Sequence, residues 1–358
     1  MILEEDLDAA VEAGVIDRAQ AIRIAHLARL RLASSPASPG AESPSRPDPD
    51  DERFRLIGGF NDVFVTIGVG LLAAAVLGLS SVLGFGQVFA LTSLLVSWGL
   101  AEWFSRRMRL ALPSIALALM FAASGGFLGV VAIGLVAGDG FSGARADGWG
   151  YLGAGLGTVL AAALHHWRFR VPIDGAIGGL GGLAIAAGLI ERASPGFVGG
   201  HLYPLALAAG LAIFLAAMRL DLSDPLRRTR RSDVAFWLHL LAAPLIVHPV
   251  TQAAIGDVGR MGTAAAGATL AVFALLALVA LVIDRRALIV SGLSYAGIAV
   301  AHLISRGGSG DLHLPLTLLG LAVVVLALSA GWRSLRRLLL PRVPLGGLRA
   351  KLPPAEPA

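Results

Sequence analysis

The chain has no cysteine and a single lysine, Lys351. The first absence excludes disulfides, thiolate metal sites and cysteine nucleophiles. The second removes a Ser–Lys dyad and the lysine that a Walker-type phosphate loop requires. Charge is also scarce: Asp, Glu, Lys and Arg make up 15% of 358 residues, against 56% hydrophobic. The mean hydropathy is +0.75. A soluble domain carries roughly 25% charged residues because its surface faces water. By length alone the chain would make about two soluble domains, but too few polar side chains exist to cover them. The composition therefore reads as an integral membrane protein. The bias toward arginine, alanine, glycine and leucine fits a GC-rich bacterial genome.

Residues 1–33 do not form a signal peptide, which needs a basic start and an apolar run. The start is acidic, with Glu4, Glu5, Asp6 and Asp8. Leu3, Leu7, Ala10 and Val11 share one helix face, and Gly14 ends that helix. Asp17 and Gln20 have the spacing of a capping box for a second helix. That helix carries the stripe Ala21, Ile24, Ala25, Ala28 and Leu32, with Arg18, Arg23, Arg29 and Arg31. Two oppositely charged amphipathic helices predict a small αα-hairpin on the cytoplasmic side. A basic helix lying on anionic headgroups is compatible with the same pattern. Residues 34–59 follow as a linker, rich in Pro, Ser and acid over 34–52, with almost nothing to bury.

A spanning helix needs about 20 apolar residues. Ten runs qualify: 61–83, 86–104, 110–137, 149–167, 171–190, 202–218, 234–254, 262–283, 287–304 and 314–332. The third is long enough to be tilted or to break at Gly125–Gly126. The expected fold is an all-α, polytopic bundle of about ten spans over 60–333, with a basic cytoplasmic tail at 334–358.

Charge placement orients that bundle. With the C-terminus inside, the cytoplasmic loops and tail hold eighteen basic residues. The opposite loops hold only Arg145, Arg192, Arg260 and Arg306. This is a positive-inside distribution, and it predicts an inner-membrane protein with both termini cytoplasmic. It also accounts for the net charge of +5 without a nucleic-acid partner. Trp103, Trp149, Trp167, Trp237 and Trp332 fall near predicted helix ends, where an aromatic belt is expected. The basic loops recur about every 50–60 residues, and three begin alike: SRRMRLALP, WRFRVPI and DRRALIVSG. Tandem helical hairpins would give that period. So would any series of two-span hairpins obeying the charge rule.

Ionisable groups in hydrocarbon are costly, so they are the candidate functional residues. The seventh run, DVAFWLHLLAAPLIVHPVTQ, is the most informative. Asp233, Trp237, Pro244, His248 and Thr251 fall on one face at 100° per residue, and His239 falls opposite. Pro244 and Pro249 each remove an amide donor, which predicts a kinked or broken helix. Freed carbonyls beside an imidazole could bind a cation, a proton or a polar solute. A kink satisfied by neighbouring helices is the plainer alternative. In the fifth run, Asp174 opens a glycine-rich helix where the dipole favours an acid, four residues after Arg170. Gly175/Gly179 and Gly178/Gly182 are small-xxx-small pairs suited to close helix approach. Glu102 and Arg106 stand i,i+4 at the end of the second run. Asn61 and Asp62 open the first. By depth, Asp62, Glu102, Asp174 and His239 are the residues that would line an inward-facing vestibule.

Enzyme motifs fail, and no catalytic activity or cofactor is expected. Gly308–Ser309–Gly310–Asp311 matches a GxGD string but sits in a polar loop. Ser124 precedes Gly125, with Ala122 where a rhomboid-like enzyme has glycine. His201, His302, His313, Asp257 and Asp311 lack ligand spacing, so no metal site is expected.

The opening LDAAVEAGVIDRAQAIRIAHL resembles the N-terminal hairpin of a bacterial family of multi-pass membrane proteins of unknown function. DVAFWLHLLAAPLIVHP is similar to a stretch of uncharacterised alphaproteobacterial inner-membrane proteins. The resemblance implies location and architecture and brings no substrate. Two functions stand beside each other: passage of a small solute or ion, and a scaffold or sensor whose residues 1–33 bind a cytoplasmic protein. The expected partners are the lipid bilayer, that cytoplasmic protein and a second copy of the chain.

Overall fold

The computed structural model describes residues 7, 10–24, 60–136, 148–225, 227, 229–255, 263–306, 312–344, 346, 349 and 352. The chain divides into two compact units, Met1–Asp48 and Pro49–Ala358. Among the described residues every regular element is helical.

In the first unit a helix stops and another starts as the residues require. Gly14 takes φ +69°, a left-handed conformation that glycine adopts without steric cost. The Gly14 amide donates to the Val11 carbonyl and the Val15 amide to the Ala10 carbonyl, both at 3.0 Å. This is the paired bonding of a Schellman stop. The Asp17 amide then donates to Gln20 Oε1 at 2.9 Å, and the Gln20 amide to Asp17 Oδ1 at 2.7 Å. The predicted capping box is thus closed in both directions. The outer parts of the predicted hairpin and the linker 34–59 lie outside the described residues.

In the second unit α1 spans Phe60–Leu83 and α2 Gly86–Ala101, which runs into a π-helical turn at Glu102–Arg107. Then come α3 (Ala111–Val136), α4 (Gly148–Phe169), α5 (Asp174–Ala193), the short α6 (Phe197–Gly200) and α7 (Leu202–Ser223). The chain continues through α8 (Arg230–Ile255), α9 (Thr263–Ile283), α10 (Ala287–Arg306) and α11 (His313–Leu339). Each of the ten apolar runs coincides with one of these long helices.

Among the described residues, eight of them are long and apolar enough to cross a membrane: α1, α2, α3, α5, α7, α8, α9 and α11. Helix α4 is diluted by glycine. The outer surface is what a bilayer requires. Leu71 on α1 is 68% exposed, Leu160 on α4 69% and Leu326 on α11 67%. Apolar exposure on that scale has no place in water. The chain has the makeup of an integral membrane protein.

Close glycine contacts set the packing of α3, α4 and α5. A Cβ on Gly153 would meet the Gly129 carbonyl oxygen at 2.6 Å and Val130 Cα at 2.8 Å. One on Gly155, on another side of α4, would meet the Ile185 amide nitrogen at 2.6 Å and the Gly181 carbonyl oxygen at 2.7 Å. Thus α4 lies between α3 and α5 with backbone against backbone on both sides, the approach that small residues permit. The predicted pair Gly175/Gly179 faces α8, where Val234, Leu238 and Leu241 meet it. Gly182 meets nothing within 4 Å, so the Gly178/Gly182 pair is not a close contact. The stretch at Gly125–Gly126 does not break α3, which runs through it.

The basic turns share a backbone feature. The positive-φ residues other than glycine are Arg109 (56°), Arg170 (55°), Arg227 (50°) and Asp284 (58°) among the described residues. Each lies in a turn on the arginine-rich side, at intervals of 57 to 61 residues. A charge rule requires arginine there but does not require a left-handed residue at the equivalent place. The recurrence favours tandem hairpins: α2–α3, α4–α5, α7–α8 and α9–α10. An L-residue in this region costs roughly 1–2 kcal/mol. Arg109 is exposed, so its backbone can be tested alone. Arg109→Ile is expected to destabilise by about 1–2 kcal/mol, since a β-branched chain is an outlier there. Arg109→Gly should be neutral or mildly stabilising. Thermal unfolding in detergent reads both.

Helix α11 continues to Leu339, into the segment expected as the tail. One expectation is corrected: Trp332 is not a belt residue, because it is 2% exposed and its Nε1–H donates to Asp284 Oδ1 at 2.7 Å. Trp103, Trp149 and Trp167 are exposed, as an interfacial position requires.

Candidate functional site

Helix α8 carries the face with the strongest sequence signal. It runs unbroken through Pro244 and Pro249, so the expected break is absent. Asp233 and Pro244 are exposed, while Trp237 and His248 are half-buried. Thr251 is buried, and its hydroxyl donates to the Val247 carbonyl at 2.8 Å. His248 has its ring 5.6 Å from that of Tyr203. The buried side of α8 is the opposite one: Ala235, His239, Ala242, Ala243 and Val247 are 0–1% exposed.

His239 belongs to a cluster at the arginine-rich end. Its Nε2 lies 2.9 Å from Asp221 Oδ2, near the end of α7. Arg285, in the turn before α10, donates from Nε to the same oxygen at 2.9 Å. Its Nη2 bonds Asp221 Oδ1 and donates to the Ser232 carbonyl and hydroxyl oxygens, both at 3.2 Å. Beside it, Arg227 pairs with Asp284 Oδ2 at 3.1 Å and donates to the Asp284 carbonyl at 2.6 Å. The two left-handed residues of successive turns therefore touch. Arg336 of α11 lies 3.6 Å from Asp284 Oδ1 and donates to the Leu281 carbonyl at 2.9 Å. Every carboxylate in this cluster has a guanidinium. Planar, permanently charged forks satisfy buried carboxylates well. The cluster is a clasp that ties α7, α8 and α11 to the end of α9 and its turn into α10.

The second cluster lacks that compensation. Asp174, at the first turn of α5, has a side chain 1% exposed. His165 of α4, also 1% exposed, places Nδ1 at 2.9 Å from Oδ1 and 3.1 Å from Oδ2. His166, half exposed, has its Nδ1 3.7 Å from Oδ2. Among the described residues these imidazoles are the only ionisable side chains in contact with Asp174. The expected partner, Arg170, is not bonded to it. The pair is sealed by rings: Phe169 at 4.7 Å and Phe121 at 5.7 Å from His165, with Trp98 against both. His165 Nε2 is buried with no hydrogen-bond partner among the described residues.

Glu102 is close by in the fold. It accepts from Arg168 of α4, with Nε at 2.7 Å from Oε1, and from Arg106 at 3.2 Å. Glu102 and Asp174 thus both bind the last turns of α4. His239 joins Asp221 instead. Asp62 is 2% exposed in the first turn of α1, and its carbonyl accepts from the Thr66 hydroxyl at 2.6 Å.

The remaining candidates are quickly placed. The Ser124 hydroxyl lies 2.9 Å from both Ser93 Oγ and the Met120 carbonyl oxygen. No group of three or more His, Asp or Glu among the described residues is arranged to hold a metal. Asp257 and the Gly308–Asp311 string lie outside the described residues. His165, Asp221, Asp284 and the buried roles of Arg227, Arg285 and Arg336 escaped sequence reading. One sequence signal was present: α7 ends in RLDL and α9 in IDRR, each an acid against arginine at the end of a span.

No protein-family model, curated protein or solved structure matches the chain.

Proposed function

We propose that the bundle passes a small ion or solute across the bilayer. The reading rests on Asp174, a buried acid whose ion-pair partners among the described residues are imidazoles and not arginine. An ionisable residue inside a spanning bundle is costly, and an ion pathway is the common reason for keeping one. In the clasp, by contrast, Asp221 and Asp284 each have a guanidinium beside them. In this reading α4 and α10 complete a ten-span bundle, since each packs between neighbours that span. Both termini then lie on the arginine-rich, cytoplasmic side of a bacterial inner membrane.

The test is flux in proteoliposomes loaded with a pH dye or with ion-selective dyes for sodium, potassium and chloride. Flux of at least one of these ions above that of protein-free vesicles, reduced about tenfold or more by Asp174→Asn, is the expected result. Rates equal to empty vesicles for every ion would reject an ion pathway.

A second reading is supported by the separate N-terminal unit. Its Schellman stop and capping box preorganise the turn between two helices, and a cytoplasmic protein docks on that helix pair. Deleting residues 1–33 should then abolish co-purification of that partner while leaving insertion intact. Retention of the same partners after deletion would count against it.

A further inference from the structure

We propose that the His165–Asp174 pair is a proton-binding site, with the proton taken at His165 Nε2. This deepens the reading of an ion pathway by naming the ion held. Its test reads binding rather than passage, so either can fail alone.

The geometry assigns the roles. His165 Nδ1 faces both carboxylate oxygens, at 2.9 and 3.1 Å. A neutral ring therefore carries its hydrogen on Nδ1 and donates it to Asp174. That leaves Nε2 as a bare lone pair, buried and without a partner among the described residues. In this state the pair holds one negative charge inside a shell of Phe121, Phe169 and Trp98. A proton bound at Nε2 forms an N–H bond and makes the ring an imidazolium. The pair then becomes internally neutral, with Nδ1–H still donated to the carboxylate. No bond other than N–H forms, and no oxidant or co-reactant is needed. Burial penalises an uncompensated charge far more than a compensated pair.

The surroundings leave the proton as the compensating charge. Helix α3 has no titratable residue along its length. From α2 and its π-helical turn, Glu102 faces α4 already bound to Arg168 and Arg106. From α4 itself come His166, at 3.7 Å from the carboxylate, and Arg168. In the turn, Arg170 is exposed. From α8 the nearest titratable group in sequence to the α5 contact is Asp233, which is exposed. From α1 comes Asp62. The contrast with His239 is direct. There the carboxylate already has Arg285, and an imidazolium is not needed to neutralise it.

The experiment is nitrogen-15 NMR of histidine-labelled, full-length protein in lipid nanodiscs, titrated from about pH 5 to about pH 8, the range in which an imidazole changes charge. The His165 ring is assigned by its loss in His165→Gln. Its Nε2 signal is expected to move reversibly between the bare and protonated positions. Net proton uptake over that range should exceed that of His165→Gln by one proton per chain. His166→Gln should keep the transition, and Asp174→Asn should remove it from the range. An Nε2 signal fixed in one state throughout would overturn the proposal. So would equal proton uptake in His165→Gln, or a transition unchanged by Asp174→Asn. If the variants do not fold, sequential assignment of the wild-type ring decides the matter from its own titration.

Discussion

Gly153→Leu is expected to abolish the folded bundle, and Gly153→Ala to destabilise it by about 1–3 kcal/mol, the usual cost of overpacking. The reason is what the new Cβ would strike. Its nearest neighbours are backbone atoms of α3, the Gly129 oxygen at 2.6 Å and Val130 Cα at 2.8 Å. A flexible side chain could swing aside, but a helix backbone cannot. Helices α3 and α4 would have to separate, and α5 would follow, because Gly155 and Gly181 hold the other side of α4 equally tightly. Gly182→Ala is the matched control. Gly182 is an exposed residue of α5 with nothing within 4 Å of its would-be Cβ. Alanine there should be neutral or stabilising by up to about 1 kcal/mol from helix propensity. Tryptophan fluorescence during thermal unfolding in detergent would follow all three. Equal stability of Gly153→Ala and Gly182→Ala would mean that α3 and α4 do not pack through these glycines.

That packing bears on the candidate site. His165 and Asp174 come from α4 and α5, whose backbones are held together further along by the Gly155–Gly181 contact. A mild opening of this interface would separate the pair before it unfolded the bundle. The proton site and the glycine seam are therefore one structure read at two scales.

Much of the fold was legible because span length and hydropathy are local properties. Each apolar run became a helix, and the Asp17–Gln20 box closed as its spacing implied. Facing is not local. Periodicity puts Asp233, Trp237, Pro244, His248 and Thr251 on one side of α8, but it could not say which side turns inward, and of these Thr251 is buried. The inward side is the alanine stripe with His239, where small residues admit neighbouring helices. Asp174 was visible as an acid at a helix start. Its partner His165 was not, because the pairing depends on the α4–α5 turn. Arg170 looked the better partner on sequence distance, yet it is the left-handed residue of that turn and is exposed.

The arginines carry the sharpest version of this lesson, and the last prediction rests on it. Arg285 and Arg286 are adjacent and look alike as charges on a cytoplasmic loop. Arg286 is exposed, with its guanidinium 5.0 Å from the Trp332 ring. Arg285 is 2% exposed and holds Asp221 with Nε and Nη2. Arg286→Ala is expected to cost no more than about 1 kcal/mol, the scale of an exposed cation–π contact. Arg285→Met should cost about 3–5 kcal/mol, because it leaves a carboxylate in the protein interior with only His239 beside it. Arg285→Lys should recover little, since an ammonium cannot reproduce the fork that grips Asp221 and Ser232 together. The double variant Asp221→Leu/Arg285→Met removes both charges and should regain much of the loss, giving a large favourable coupling in the double-mutant cycle. Additive losses in that cycle would show that Arg285 acts through packing or membrane orientation rather than through Asp221. The expected non-additivity would establish that a charge counted toward topology is held inside the protein, where it ties α7 and α8 to the turn between α9 and α10.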